Sequence, residues 1–393
     1  MIEDLDLMKP LPLQVLSVLL FSAPSEPPFP KLEELGLSPV TQESLPFISL
    51  FLSTRITTIF LRFSGPDLDI TTIASTIAAV STSCPNLHRI HLHCLPRDPM
   101  IISAVSELAL NANPRTLEHS YVGSPLSEEA REVICKLPHL RALQLVIDGP
   151  TVLPTMALPE LDCLCVEYNN GHDWLQGFRG AQFGSLTRVI FTSKSDSAGN
   201  FLEAFTNVAL TTPIPNTLSL LSFCTERPWR PTYRSLLPFT HLQFINVQSS
   251  CEFGCSSTID DDTLTNLAQA MPKLKILWLD GTPCETPAGV TLKGLAALAH
   301  YCLRLRRLRI HFQVATLRPS EIPLFVSPDG STIPRGGCPL VCLNVGRIRV
   351  PEEFASMVAS TIDKIFPRST RTVVKDGRRL FTKSTSVQKG PVV

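Results

Sequence analysis

The sequence predicts an α/β solenoid built by repetition, and three observations predict it. The first is size together with composition. The chain has 393 residues, 56 of them leucine and 34 proline, and it exceeds the ~250 to 300 residues at which a single core stops growing. Such a chain either splits into domains or stacks repeats. The second is a recurring phrase of the form apolar, Pro, x, Leu, x, x, Leu, x, Leu. It is written as Phe29–Leu37, Cys84–Leu92, Leu137–Leu145, Leu158–Val166 and Met271–Leu279. Tight and looser copies place the first residue of the triplet at Leu32, Ile56, Leu87, Leu117, Leu140, Leu161, Leu186, Leu218, Leu242, Leu274, Leu305 and Leu340. The third is the period: Leu32 to Leu340 is 308 residues over 11 intervals, a mean of 28. L-x-x-L-x-L at that period is the leucine-rich-repeat signature. The expected fold is therefore an irregular leucine-rich-repeat solenoid, a ribonuclease-inhibitor-like horseshoe with a parallel concave sheet and outer helices.

Each element follows from the phrase. In a short strand side chains alternate with period 2, so the residues three and five places after the first leucine point the same way and bury between neighbouring repeats. Those at offsets 2, 4 and 6 face the opposite side of the sheet, toward solvent. Between phrases the longer intervals carry apolar residues at i, i+3, i+4 and i+7, as in Ile70, Ile73, Ala74 and Ile77, the mark of an amphipathic helix. Ala130, Val133, Ile134 and Leu137 form a second such stripe, and Leu264, Leu267, Ala268 and Met271 a third. Start signals agree: Asp98 before Pro99, Ser127 before Glu128 and Glu129, and the acidic trio Asp260, Asp261 and Asp262. The intervals 140–161, 161–186 and 218–242 are 21 to 25 residues long, enough for a loop or a helical turn but not a full outer helix. A last helix opens at Pro351-Glu352-Glu353 and carries Phe354, Met357, Val358 and Ile365. Residues 1–24 are expected to form an N-terminal cap or remnant, 25–367 one elongated solenoid of about 12 units, and 368–393 a mobile tail. That tail holds seven basic side chains against one acid.

With 35 basic and 35 acidic residues the formal net charge is zero, so long-range attraction to nucleic acid or an anionic membrane does not organise this chain. The N-terminus is acidic where a secretory signal is basic, and no apolar run approaches the ~18 residues that span a bilayer. No Asn-x-Ser/Thr sequon occurs. A cytoplasmic or nuclear location is expected, where the 12 cysteines act as small buried hydrophobes and not as a disulfide framework.

The segment Phe239–Phe312 reads FTHLQFINV, then IDDDTLTNLAQAMPKLKILWLDGTPC, then GVTLKGLAALAHYCLRLRRLRIHF. It resembles the fungal, especially basidiomycete, F-box-like proteins with irregular leucine-rich repeats, loosely over residues 25 to 370. The resemblance implies a partner arrangement: an F-box binds the Skp-type linker of a cullin-RING ubiquitin ligase while the repeats capture a protein substrate. Pro10–Leu20 is similar to the opening of an F-box helix, yet the repeats begin at Leu32 and leave no room for the rest of the module. The chain is thus expected to be the repeat portion with no complete F-box, and to meet the linker only if an F-box is supplied.

Cys84 and Cys302 occupy the slot held by Phe29, Leu137, Leu158, Phe183, Phe239 and Met271 elsewhere, which is a packing position. Cys163 and Cys165 share a strand face about 6.6 Å apart, but C-x-C without a second pair does not define a metal centre. Cys251 and Cys255 have near-ligand spacing and lack a matching His or Cys pair. His91 and His93 share a face with His119 expected on the next strand, at ~8 Å from His91 and ~14 Å from His93, too open for one ion. Asp260, Asp261 and Asp262 read as helix-capping acids. Gly177, Gly180 and Gly184 lack the spacing of a nucleotide loop, and no Ser-His-Asp or Cys-His set assembles. No catalytic residue, metal ligand or cofactor is assigned.

The partner surface is expected on the concave sheet: Trp278 and Asp280 on one strand, Arg307, Arg309 and His311 on the next, and the His91–His93 patch. Trp278 should stand level with Arg309, ~5 Å across, and Trp with Arg dominates binding hot spots. Twelve strands at ~4.8 Å make an arc of roughly 53 Å, and three outward positions on each supply about 36 contacts, against the 20–30 residues of a standard interface side. The expected function is a non-enzymatic protein-interaction module that recognises a substrate for ligation. A free-standing scaffold is the alternative. A GTPase-activating repeat protein of the Ran type is a further one, disfavoured because its repeats are regular.

Overall fold

The structure is a computed structural model. It describes residues 4–7, 18, 29–65, 67–148, 154–168, 181, 183–193, 205–206, 217–225, 233–249, 259–281, 289–310, 338–344, 352–366 and 371–373. The chain divides into two compact units, residues 1–187 and 188–393.

The first unit carries seven parallel strands paired in chain order: β1 (Asp4–Leu7), β2 (Glu34–Val40), β3 (Thr58–Phe63), β4 (Arg89–His93), β5 (His119–Val122), β6 (Ala142–Ile147) and β7 (Cys163–Tyr168). The second carries β8 (Arg188–Ser193), β9 (Leu220–Thr225), β10 (Phe244–Ser249), β11 (Ile276–Gly281), β12 (Arg307–Ile310), β13 (Cys342–Asn344) and β14 (Arg371–Val373), again parallel and in order. Each unit is an α/β solenoid with a parallel sheet, one strand to a repeat. All 12 phrases open a strand, β2 through β13, and each strand starts two residues after the first residue of its triplet. β1 and β14 are not among the 12 counted phrases, although Ile2-x-x-Leu5-x-Leu7 has the triplet form two residues ahead of β1. They lie in the stretches expected as N-terminal cap and basic tail, whose other residues, Val18 apart, fall outside those described.

Successive repeats are stitched by one recurrent pair of bonds. The carbonyl one place after the triplet start accepts from two consecutive N–H groups of the next repeat. Thr57 and Thr58 donate to Glu33 O, His88 and Arg89 to Thr57 O, and Arg306 and Arg307 to Lys275 O, at 2.7 to 3.2 Å. Pairing uses up the backbone donors that a buried strand cannot leave unmet. Alternation then sorts the side chains: Ile90 and Leu92 of β4 are 2% and 1% exposed, while Arg89, His91 and His93 face outward. The inward residues of β2 to β7 join one apolar layer and those of β8 to β13 another, at about 1.5–3 kcal/mol for each fully buried large side chain.

The helices close that layer from behind. α1 (Ile70–Ser83), α2 (Pro99–Asn111) and α3 (Glu128–Ile134) belong to the first unit, and α4 (Asp261–Ala270), α5 (Leu292–Tyr301) and α6 (Glu352–Ile365) to the second. Their starts are capped as the sequence signals demand. Asp69 accepts from Thr72 N–H, Asp98 from Met100 N–H, Ser127 from Ala130 N–H and Asp260 from Thr263 N–H. In α6 Val358 and Ile362 are buried and Ile365 half-buried, and Phe366 just beyond the helix is fully buried. Of the short intervals, 218–242 holds a 3-10 turn at Tyr233–Leu236, and in 140–161 Ala157 N–H donates to Cys135 O; most of the connection within 161–186 lies outside the described residues. Another 3-10 turn, Leu45–Phe51, fills the interval after β2.

Cys84 and Cys302 are buried at 2% and 0% exposure, as their slot requires. The Cys302 thiol lies 3.7 and 3.6 Å from the carbonyls of Ala268 and Met271, and the Cys338 thiol 3.4 Å from that of Leu305. Burial pushes the thiols of Cys84 and Cys338 up to about 11 and those of Cys135 and Cys302 up to about 12. They remain protonated hydrophobes at neutral pH.

Candidate functional site

In the second unit the outward residues of β10 to β12 build one patch. Register sets Trp278 opposite Arg309 and Asn246 opposite Trp278, so the strand spacing counted from the sequence brings the expected pair level. The Trp278 indole is half-buried, and its ring meets Phe244 edge-on with centroids 5.4 Å apart and planes at 68°. Arg307 is exposed and Arg309 half-buried. Below them Asn246 Nδ2 donates to Ser222 Oγ at 3.0 Å, which holds the outward row of β9 and β10 in place. Asp280 is opposite Gln248 by register. His311 and the Cys251–Cys255 loop lie outside the described residues. Phe244 was not singled out in the sequence, although its offset-2 position on β10 was the signal that it shares the face.

The first unit carries a different patch. His91 is opposite Tyr121 across β4 and β5 and opposite Phe60 across β3 and β4. The His91 and Tyr121 rings stack at 4.8 Å with planes 25° apart. Phe60 contacts His91 at 6.0 Å and His93 at 5.3 Å, and His119 is 6.4 Å from His91. His119 sits on β5 as expected, but its strand partner is Arg89. Partial burial lowers the His91 imidazole to about 4, with His93, His119 and Arg89 adding repulsion. His93 is lowered too, by burial and by Arg62. Both rings are therefore neutral at physiological pH, and the patch presents flat uncharged aromatic surface instead of a cationic one. Among the described residues no group of three or more His, Cys, Asp or Glu side chains has metal-holding geometry.

Beside this patch Arg97, in the loop after β4, pairs with Asp148 at 3.4 Å and Glu167 at 3.0 Å. It ties the ends of β6 and β7 to β4, although such exposed pairs contribute little stability individually.

The acidic trio divides into three roles. Asp260 caps α4, and its bonds to the Thr263 side chain and backbone hold its carboxyl below the usual carboxylate range. Asp262 pairs loosely with Lys293 at 3.7 Å. Asp261 reaches the next helix: Oδ1 accepts from Thr291 N–H at 2.7 Å and Gly294 N–H at 2.9 Å, and Oδ2 from the Thr291 hydroxyl at 2.6 Å. The capping reading thus applies to Asp260, while Asp261 clips the start of α5. The signal for it was Gly294, a glycine in the first turn of a Leu- and Ala-rich helix.

No family model matches the chain and no curated protein matches it. Among solved structures it is similar to the crystal structure of a protein from Bacteroides fragilis, at 16% identity and a TM-score of 0.39, over 62% of this chain and 73% of that one. Among the described residues no helix is long and apolar enough to cross a membrane.

Proposed function

We propose that this chain is a non-enzymatic protein-binding repeat module of the cell interior that captures a protein partner on the outward face of its sheet. The observation that supports it is the patch around Trp278, where a half-buried indole braced by Phe244 stands in register with Arg309 beside exposed Arg307. A rigid aromatic and neighbouring guanidinium groups are the side chains that dominate binding energy at interfaces, and here strands hold them in fixed register. The stacked Phe60–His91–Tyr121 row supplies a second, uncharged contact area on the first unit. The resemblance to F-box-like repeat proteins makes the captured partner a substrate for a cullin-RING ligase, reached through a Skp-type linker when an F-box is supplied.

Affinity purification of the full chain tests this, comparing wild type with Trp278→Ala/Arg309→Ala and identifying proteins lost from the variant. The expected result is selective loss of one partner, with a Skp-type linker co-purifying when an F-box is fused. A specific partner without any linker supports the free-standing scaffold, and identical capture by both proteins removes the patch from consideration.

A further inference from the structure

The edge of the second unit at which β11 and β12 begin concentrates positive charge. Lys273 and Lys275 flank Leu274, the first residue of one triplet, and Arg304 and Arg306 flank Leu305, the first residue of the next; Arg307 starts β12. All five are exposed. The two turns have the same form, with Leu274 N–H donating to Met271 O at 3.1 Å and Leu305 N–H to Cys302 O at 3.0 Å. Lys275 O accepts from Arg306 N–H at 2.7 Å and from Arg307 N–H at 3.1 Å, and Ile276 is opposite Arg307. Equivalent positions on neighbouring strands are ~4.8 Å apart. Lys275 therefore stands beside Arg306 and Lys273 beside Arg304, like charge against like.

Like charges at facing positions on neighbouring strands destabilise a sheet, and the surrounding repeats do not offset them. The positions that flank Leu242 and Leu340 on either side are His241 and Gln243, Pro339 and Val341. The corresponding edge of the first unit is neutralised internally, where Glu160 lies 3.3 Å from His139 and 4.0 Å from Arg141 of the preceding repeat. Helix ends account for part of the cluster. α4 and α5 stop at Ala270 and Tyr301, and Lys273 and Arg304 follow closely enough to complement the helix dipole. That effect fades within one turn and does not account for Lys275, Arg306 and Arg307. A second feature shares the edge. Leu303, beside Arg304, is 54% exposed, and Val341, whose N–H donates to Arg306 O at 2.7 Å, is 50% exposed. Among the described residues these are the second unit's two exposed large hydrophobic side chains.

We propose that this edge binds an acidic segment of a protein partner, a run of Asp or Glu carrying aliphatic side chains that pack on Leu303 and Val341. Charge complementarity selects the carboxylates, arginine clusters read acidic motifs through forked hydrogen bonds, and the exposed leucine and valine favour a peptide over a bare polyanion. The whole chain has zero net charge, so the attraction is local to this edge. The inference deepens the partner capture proposed for the outward face and rests on it for the protein that brings the segment. Arg307 joins the two surfaces, since it starts the strand that carries Arg309.

The probe is a fluorescein-labelled synthetic peptide rich in glutamate with two leucines, titrated with the full chain by fluorescence anisotropy at low salt; a copy with glutamine for every glutamate is the control. Saturable binding of the glutamate peptide is expected, weakened about tenfold or more by Lys275→Glu/Arg306→Glu. Lys31→Glu/Arg55→Glu, an equal charge reversal at the corresponding edge of the first unit, should leave it unchanged, with far-UV circular dichroism confirming that both variants are folded. Independently of any variant, raising NaCl from about 0.05 to about 0.5 M should weaken wild-type binding about tenfold. Equal binding of the glutamine peptide, equal loss in the two double variants or indifference to salt overturns the proposal, and so does tighter binding of an oligouridylate of equal charge. The titration needs no natural partner, so failure of the Trp278 patch and failure of this edge are read separately. A protein lost from Trp278→Ala/Arg309→Ala but fully retained by Lys275→Glu/Arg306→Glu supports the patch and overturns the edge.

Discussion

Replacing Gly294 with alanine tests how the second unit holds the helices behind β11 and β12. On helix propensity alone the change should stabilise α5 by up to about 1 kcal/mol. The structure reverses that sign. A Cβ at this position falls 2.6 Å from Asp261 Oδ1, with Leu264 Cδ2 at 3.0 Å and Val290 Cγ1 at 3.4 Å. The carboxylate must move, and it is the acceptor for Thr291 N–H, the Thr291 hydroxyl and Gly294 N–H. Hydrogen bonds to a charged group contribute about 1.5–3 kcal/mol each. Losing two of them at the lower value costs about 3 kcal/mol, so the net effect of Gly294→Ala is about 2 kcal/mol of destabilisation. Asp261→Ala removes the obstacle together with its bonds. In that background Gly294→Ala should be neutral or stabilising by up to about 1 kcal/mol, a coupling of about 2–3 kcal/mol in the double-mutant cycle. Urea denaturation of the four proteins, followed by far-UV circular dichroism, measures it. If Gly294→Ala costs the same with and without the Asp261 carboxylate, that carboxylate is not what the new methyl meets, and the reasoning is refuted.

Trp278→Ala should weaken partner binding by about 30-fold, the effect of a ~2 kcal/mol hot spot, and leave the denaturation midpoint nearly unchanged; binding within twofold of wild type, by titration calorimetry with the purified partner, would remove Trp278 as an anchor. His91 takes a proton more readily unfolded than folded, so the stability it contributes is present above pH 6.5 and is lost as pH falls toward about 4. The full shift corresponds to about 3 kcal/mol, and solvent screening of the half-exposed ring reduces this to the order of 1 kcal/mol. His91→Phe should flatten that part of the pH profile in thermal melts, and an unchanged profile counts against it. Leu143→Ala, at a fully buried position of β6, should cost about 2–5 kcal/mol; a loss under 1 kcal/mol would mean the apolar layer is not closed there. Asp260→Ala should cost about 1 kcal/mol through loss of the α4 cap, read from the same denaturation curves.

Much of the fold was legible because its signals are local. Side-chain alternation and the L-x-x-L-x-L triplet act within six residues, so every strand from β2 to β13 begins at a fixed offset from its triplet, and Asp98, Ser127 and Asp260 could be named at helix starts from the residue types around them. The same counting put Trp278 level with Arg309, because parallel strands that start at equivalent offsets pair at equivalent offsets. β14 carries no triplet, and its pairing is made by the neighbouring strand β13. β1 carries one that the phrase count passed over, Ile2-x-x-Leu5-x-Leu7, in which Leu5 and Leu7 stand opposite Leu35 and Leu37 of β2.

The sequence by itself determined the repeat, the inward and outward sets of residues and the helix starts, since each depends on neighbours in the chain. Only the tertiary structure decided which side chains meet across repeats. Register and rotamers turned Phe60, His91 and Tyr121 into a stack, set Phe244 against Trp278 and closed the Cys163–Cys165 gap to 4.0 Å. They also carried Asp261 past its own helix to the next one, 33 residues on. Contacts at that separation depend on how each repeat leans on the one before it, and no local pattern encodes that angle.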